Sequence, residues 1–166
     1  MNMYQLLALL EETKRPAVID TIKWLKPKSF YDDLAKLVAY ICETPIALIT
    51  VVAEHKQYFK GSYGVDTNES DRKDSICQYT LFNDSYEPLI INDILSDENF
   101  NDNELVKNDP KIRFYCGVPF KTKTGTNVGA ICAIDKVERT ITAAQVEHIQ
   151  LLAKILVSFI KLCVES

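Results

Sequence analysis

The sequence lacks an uninterrupted apolar run long enough to cross a membrane. Its nearest candidate, residues 149–164, is broken by Gln150, Lys154 and Lys161, whereas a transmembrane helix needs about 20 predominantly apolar residues. The first residues have neither a basic stretch before their apolar part nor a small-residue cleavage site after it, which disfavours a secretory signal peptide. We therefore expect a cytoplasmic protein without a membrane partner.

Excess positive charge and clusters of metal ligands are also missing. The chain has 19 Lys and Arg residues against 23 Asp and Glu residues, and the basic residues are scattered, so nucleic-acid binding is not expected. His55 and His148 lie far apart without a clustered third ligand, which disfavours a metal site. A glycine-rich phosphate loop is absent as well.

The chain has five cysteines, an odd number with no CxxC pair. Most lie inside apolar segments, so we interpret them as reduced, buried thiols. At 166 residues with 47% apolar and 25% charged residues, the chain is large enough to bury a core without disulfides or a structural metal.

The most distinctive stretch is residues 112–135, where two apolar runs flank a polar turn that contains Gly125. This pattern predicts a β-hairpin with arms at 112–120 and 128–134. Because both arms are apolar at almost every position, we expect both faces of each to be buried. The hairpin should therefore lie at the centre of the fold.

Other patterns place further elements on both sides of the hairpin. Apolar residues on one stripe predict a helix from Ser29 to about Cys42, and a capping box formed by Thr142 and Gln145 predicts a final helix to about Val164. The sequence patterns by themselves predict five strands, with loops at 61–73 and 95–110. The remaining elements are strands at 46–53, 57–61 and 88–91, a short helix at 76–83 and one helical turn at 103–107.

Residues 1–28 are predicted to form a helical lead-in, followed by one domain at 29–166. The lead-in is expected to contain a helix at Met3–Glu12, a break at Pro16 and a weak helix at Ala17–Leu25. Leucines cover more than one face of the first helix, and the apolar arc of the final helix is too wide for one interface. We therefore expect a homodimer that assembles through the terminal helices.

The order and spacing of short motifs over more than a hundred residues resemble the GAF domain family. They include Pro45-Ile46-Ala47, Tyr58-Phe59-Lys60, residues 61–65, Ser75-Ile76-Cys77, Ile91-Asn92-Asp93, Asp97, Phe100, residues 112–120, Gly125, Gly129, Ile131-Cys132, Asp135 and Gln145. The resemblance implies an α+β fold with a six-stranded antiparallel sheet. It places the N- and C-terminal helices on one face and short helices and loops over a ligand pocket on the other.

Candidate ligand-binding residues are aromatic or mixed in character and belong to segments that this fold brings to the loop face. Apolar walls with a few polar groups suit small-molecule sites, although the same residues are ordinary core filling. For Arg113 we expect an ion pair with Asp93 or Asp97 more than contact with a ligand. The candidates are Phe59, Cys77, Tyr79, Phe82, Asp93, Phe100, Arg113, Phe114 and Cys116.

The resemblance implies a sensory domain that binds an unidentified small molecule and passes a signal through the helices at its ends. We expect it to signal to a separate protein unless the chain is a fragment. Enzymatic activity is not expected, because no arrangement of Ser, His and an acidic residue suggests a hydrolase. A dimerisation scaffold with a filled pocket and a cysteine-dependent redox enzyme resembling free methionine sulfoxide reductase are the alternatives. The reductase cysteine of that branch has no counterpart in residues 99–110. Covalent bilin attachment is disfavoured because Cys77 precedes Gln78 instead of histidine, and the family's cyclic-nucleotide signature does not fit.

Overall fold

A computed structural model describes residues 15–83, 86–122 and 125–162. Its main feature is an antiparallel sheet of six strands. The strands are β2 (Ile46–Val52), β3 (Lys56–Tyr63), β4 (Glu69–Asp71), β5 (Leu89–Ile91), β6 (Phe114–Lys121) and β7 (Asn127–Asp135). Their order across the sheet is β4-β3-β2-β7-β6-β5. The expected α+β fold with six antiparallel strands is confirmed.

The centre of the sheet consists of β2, β7 and β6, as the predicted hairpin requires. All residues of β2 and nearly all of β6 and β7 are buried, because both faces of the sheet are covered. Cys132 on β7 lies opposite Leu48 of β2 on one side and opposite Gly117 of β6 on the other. These three residues form a row across the middle of the sheet.

Two long helices, α2 (Lys28–Cys42) and α5 (Ala143–Val157), cover one face of the sheet. Both were expected there. The capping box of α5 is confirmed, since the Thr142 hydroxyl accepts from the Gln145 backbone while the Gln145 side chain accepts from the Thr142 backbone. Val38 of α2 and Ile149 of α5 are fully buried against the sheet.

The opposite face is covered by short elements and loops. These are a 3₁₀ turn at Arg72–Asp74, α3 (Cys77–Thr80), a 3₁₀ turn at Ile94–Ser96 and α4 (Glu104–Lys107). Side chains of β6 alternate between the two faces: Phe114 and Cys116 pack in the helical layer, whereas Tyr115 packs under the short elements.

The ends of the chain differ from the sequence-based expectation. The segment expected to be helical at 17–25 instead forms α1 (Arg15–Ile19) followed by β1 (Ile22–Trp24). The final helix ends at Val157 and is followed by β8 (Ile160–Leu162), which pairs with β1. The expected helix at Met3–Glu12 lies outside the described residues, as does Cys163.

The sixth strand of the main sheet is β4, inside the segment expected to be a loop. Its three residues are polar, and it pairs with β3 at the edge of the sheet. A 2.9 Å ion pair between Lys56 and Asp71 links the two strands. None of the described helices is long and apolar enough to cross a membrane.

Candidate functional site

A cavity of about 500 Å³ lies between the sheet and the layer of short elements. Its floor is made by the sheet, and its sides by the segments around 64–70, 75–77 and 105–112. The walls are mainly apolar. The lining residues are Ile46, Leu48, Gln57, Phe59, Gly64, Val65, Asp66, Thr67, Ser70, Ser75, Ile76, Cys77, Leu105, Asp109, Pro110, Ile112, Tyr115 and Ile134.

Three of the polar side chains in the wall are joined by hydrogen bonds. The Ser75 hydroxyl donates to Gln57 Oε1 at 2.5 Å, and Gln57 Nε2 donates to Ser70 Oγ at 3.2 Å. Gln57 and Ser75 are both buried, and buried polar side chains of this kind are normally held by such hydrogen bonds. These hydrogen bonds fix the polar atoms of the three side chains at the cavity wall.

The charged side chains of the wall are acidic. Asp66 and Asp109 line the cavity and are exposed, so they mark the side on which it opens to solvent. Among the described lining residues, none is Lys, Arg or His. The charges on the described wall are therefore negative, and they oppose an anionic molecule by the weak Coulomb repulsion that exposed carboxylates exert in water.

Two thiols meet beneath the cavity. Cys77 is the first residue of α3 and lines the cavity, and its sulfur lies 3.6 Å from that of Cys132 on β7. Both residues are almost fully buried. The hydrogen bond with Cys132 lowers the pKa of the Cys77 thiol against the opposing effect of burial. The same hydrogen bond, together with burial, raises the pKa of Cys132.

Tyr115 lies beside this pair. Its hydroxyl is 2.9 Å from the Thr80 hydroxyl, and burial raises the pKa of the Tyr115 phenol well above its usual value. The Tyr115 ring lies over Gly117 of the same strand. A Cβ atom added at residue 117 would lie only 2.2 Å from the Tyr115 oxygen. Gly117 is therefore needed for Tyr115 to reach Thr80.

The other two described cysteines lie on the far side of the sheet. Cys42 and Cys116 are buried in the helical layer. Burial raises the pKa of Cys42 to about 11 and that of Cys116 to about 12. Neither lines the cavity, so these thiols have no access to a molecule inside it.

The structure brings only part of the predicted site to the cavity. Phe59 and Cys77 line it. Phe114 and Cys116 do not, since they face the helical layer on the other side of β6. Ligand binding by those two residues stays a prediction, which the lining of this cavity does not support. The apolar character of both faces of β6 concealed which alternate set points toward the short elements.

Tyr79 and Phe100 contact each other instead of lining the cavity. Their ring centroids are 5.3 Å apart, and this pair belongs to the core beneath the short elements. Phe82 is half-buried and also lies outside the cavity wall. These aromatic side chains stabilise the layer that covers the cavity.

The expected ion pair of Arg113 is replaced by hydrogen bonds to the backbone. Its guanidinium donates to the carbonyl groups of Val106 and Ile112 at 3.0 and 2.9 Å. Asp93 instead caps the 3₁₀ turn that follows it, accepting from Leu95 N and from the Ser96 hydroxyl. Arg113 therefore fixes the segment after α4 through carbonyl oxygens.

Several residues of the cavity escaped the sequence analysis. Leu48, Ile134, Gln57 and Tyr115 come from strands that were recognised, but no signal shows which side chains of a doubly buried strand face the cavity. Asp66 and Asp109 lie in loops whose position depends on the tertiary fold. Among the described residues, no group of three or more His, Cys, Asp or Glu side chains is placed to hold a metal ion.

Solved structures with the same arrangement identify the fold. The GAF domain of an Acinetobacter phosphoenolpyruvate-protein phosphotransferase is similar to 96% of this chain, over 93% of its own length, with 13% identity and a TM-score of 0.62. A free methionine-R-sulfoxide reductase from Neisseria meningitidis is similar to 94% of this chain, over 87% of its own length, with 11% identity and a TM-score of 0.63. The chain therefore has a GAF-like fold.

A curated protein adds a similarity in sequence. The chain is 34% identical over 145 residues to a cyclic di-GMP phosphodiesterase of Pseudomonas aeruginosa. The match covers 83% of this chain but only 24% of that protein, so the chain spans about a quarter of the length of its curated relative. No family model matches the chain.

Proposed function

We propose that the chain is a sensory domain that binds a small molecule in the cavity between the sheet and the short elements. The observation that carries this proposal is the cavity itself. Its volume of about 500 Å³ falls within the range of roughly 300–1,000 Å³ that small-molecule sites occupy. The open space supports this proposal over the alternative of a ligand-free scaffold, which expects side chains to fill the pocket.

The expected ligand is largely apolar, with a hydrogen-bonding group and no negative charge. Its apolar part would contact Leu48, Phe59 and Ile134, which line the wall. A polar group would bind the Gln57 and Ser75 side chains in place of, or in addition to, their mutual hydrogen bond. The carboxylates of Asp66 and Asp109 would repel an anion at the entrance.

We further propose that the signal controls the breakdown of cyclic di-GMP. The similarity to a cyclic di-GMP phosphodiesterase supports this output, which a module on the same polypeptide or a separate signalling protein would perform. Cyclic di-GMP is itself a poor candidate for the ligand, because it carries two negatively charged phosphates and the described cavity wall has no cationic side chain. In this proposal the domain has no enzymatic activity.

Dimerisation through the terminal helices is part of the same proposal. Leu151 and Ile155 of α5 are 47% and 50% exposed, and their spacing of four residues puts them on one stripe of the helix. A second copy of the chain would cover this stripe.

The four described cysteines are free, which fits a cytoplasmic location. The division into a lead-in at 1–28 and a domain at 29–166 stays a prediction.

A second candidate function is reduction of free methionine sulfoxide by the Cys77 and Cys132 thiols. The 3.6 Å distance between their sulfur atoms favours it, as does the fold shared with a free methionine-R-sulfoxide reductase. The charge of the cavity argues against it. Free methionine sulfoxide carries a carboxylate, and the described wall offers no cation to bind it.

The experiment that tests ligand binding compares two variants with the same substitution. Val65→Trp inserts an indole at the half-buried cavity wall, whereas Val137→Trp places one at a position that is 57% exposed. We would identify small molecules released from each purified protein by mass spectrometry. We would also titrate each with Nile red, a neutral apolar dye, and with an anionic naphthalene sulfonate dye.

We expect wild-type protein and Val137→Trp to retain a molecule or to bind Nile red, and Val65→Trp to lose at least tenfold in dye affinity. The anionic dye should bind more weakly than Nile red. Equal binding by all three proteins would place the ligand outside the cavity. An empty wild-type protein that binds neither dye would instead support the scaffold alternative.

A further inference from the structure

We propose that Cys77 and Cys132 are a reversible redox site, which a hydroperoxide entering the cavity converts to an intramolecular disulfide. The two residues are 55 positions apart in sequence, yet the packing of α3 on β7 brings their sulfur atoms to 3.6 Å. A disulfide bond is about 2.05 Å long, so the sulfur atoms must approach by about 1.5 Å. The thiols already touch, and no other side chain separates them.

The two thiols differ in their access to the cavity. Cys77 lines it, whereas Cys132 lies behind Cys77 in the central strand β7 and is not part of the wall. An oxidant in the cavity therefore meets Cys77 first. Cys132 is then positioned to resolve the oxidised Cys77, as in two-cysteine sensors where a reactive thiol lies next to a resolving one.

The chemistry of the wall selects the kind of oxidant. An organic hydroperoxide is neutral and partly apolar, which suits walls formed by residues such as Leu48, Phe59 and Ile134. The acidic entrance at Asp66 and Asp109 opposes anionic oxidants. We therefore take a neutral organic hydroperoxide as the class of oxidant that this cavity admits.

The reaction balances in two steps. The Cys77 sulfur attacks the terminal oxygen of the hydroperoxide, the O–O bond breaks, and the thiol proton goes to the departing alkoxide, which leaves as an alcohol. The Cys132 sulfur then attacks the Cys77 sulfenic acid, the S–O bond breaks, and the hydroxide leaves as water with the Cys132 proton. The two sulfur atoms lose two electrons and the peroxide bond gains them.

The surroundings of Cys77 support its role as the attacking group. Side-chain hydrogen bonding with Cys132, the largest cause, lowers the pKa of the Cys77 thiol, with smaller contributions in the same direction from Tyr115 and Thr50, whereas burial opposes it. Thiolate is the reactive form of cysteine. By contrast, burial raises the pKa of Cys42 and of Cys116 in the helical layer, so both should stay reduced while the protein is folded.

The proposed disulfide has a consequence for the cavity. It would join α3, which is part of the covering layer, to the middle of the sheet, and it would move the Cys77 sulfur away from the cavity wall. The redox site rests on the geometry of the two thiols and does not require the proposed ligand. A molecule bound in the cavity would shield Cys77 and slow its oxidation.

The test uses the full chain in its reduced form, treated with tert-butyl hydroperoxide under native conditions. We expect the intact mass to fall by two hydrogen atoms, peptide mapping to show a bond between Cys77 and Cys132, and dithiothreitol to reverse both changes. Cys132→Ala should instead gain one oxygen at Cys77, and Cys77→Ala should not react. Cys42→Ala and Cys116→Ala are the matched controls and should behave as wild type.

Mapping of the wild-type protein decides the proposal even where a variant fails to fold. A disulfide that joins any other pair, or four described cysteines that stay reduced in the folded protein, would overturn it. So would oxidation of the pair by free methionine sulfoxide but not by the hydroperoxide. Because a retained molecule would shield Cys77, the thiol measurements use protein that has been freed of small molecules. A protein that binds no ligand can then still form the disulfide, so failure of the redox site and failure of the proposed function are distinguishable.

Discussion

Replacing Tyr115 by phenylalanine tests how the floor of the cavity is held to α3 in the covering layer. The Tyr115 hydroxyl lies 2.9 Å from the hydroxyl of Thr80, and both residues are fully buried. Because burial raises the pKa of Tyr115, its phenol is neutral at physiological pH and forms an ordinary hydrogen bond. The substitution removes one oxygen atom and leaves the ring in place.

The expected loss of stability follows from the partner left behind. A buried polar group without a hydrogen bond costs about 1–3 kcal/mol, and no water reaches a fully buried Thr80. We therefore expect Tyr115→Phe to lower the free energy of unfolding by about 2 kcal/mol. With a urea dependence of about 2 kcal/mol/M, the unfolding midpoint should fall by about 1 M.

Urea unfolding followed by circular dichroism measures this change, and a double-mutant cycle assigns it to the pair. Thr80→Val keeps the shape of the side chain and removes its hydroxyl. Since the double variant leaves no unpaired group, its loss should be smaller than the sum of the two single losses by about 1 kcal/mol or more. Tyr58→Phe, at a position that is 39% exposed, is the matched control and should change stability by less than about 0.5 kcal/mol.

Two results would refute this reasoning. If Tyr115→Phe unfolds at the same urea concentration as wild type, the hydroxyl pair does not stabilise the floor. If the two single losses add up to that of the double variant, the hydroxyls do not interact with each other.

Two further predictions concern Gly117, which follows Tyr115 on β6, and the exposed face of α5. Gly117→Ala would place a Cβ 2.2 Å from the Tyr115 oxygen, and overpacking of this kind lowers the free energy of unfolding by about 1–3 kcal/mol. An unchanged midpoint of urea unfolding would contradict this prediction. Leu151→Glu should convert the dimer to a monomer in sedimentation velocity, because it puts a charge into the proposed interface, whereas Leu95→Glu, at an exposed site away from α5, should not. A wild-type protein that sediments as a monomer at high concentration would count against the dimer.

Much of the fold could be predicted because it is encoded in local periodicity. The stripe of apolar residues in 29–42 and the capping box at Thr142 and Gln145 each specify a helix through contacts a few residues apart. The hairpin of β6 and β7 follows from two apolar runs around a short polar turn. Such signals need no knowledge of what packs against them.

The missed elements have weak local signals. Strand β4 consists of Glu69, Ser70 and Asp71, which are polar and lack alternation, and it depends on pairing with the edge of β3. The pattern that extended the final helix to about Val164 did not reveal that residues 160–162 pair with 22–24. Pairing between distant segments overrides local propensity in both cases.

The sequence by itself determined the two-sided burial of the central strands and the apolar character of any pocket beside them. Only the tertiary structure decided that Tyr115, and not Phe114 or Cys116, faces the cavity. It also decided that Cys77 meets Cys132 and that Arg113 binds carbonyl oxygens instead of Asp93. The physical reason is that a strand buried on both faces carries no polar alternation to mark its orientation, so the face each side chain occupies depends on register and on the layers packed above and below.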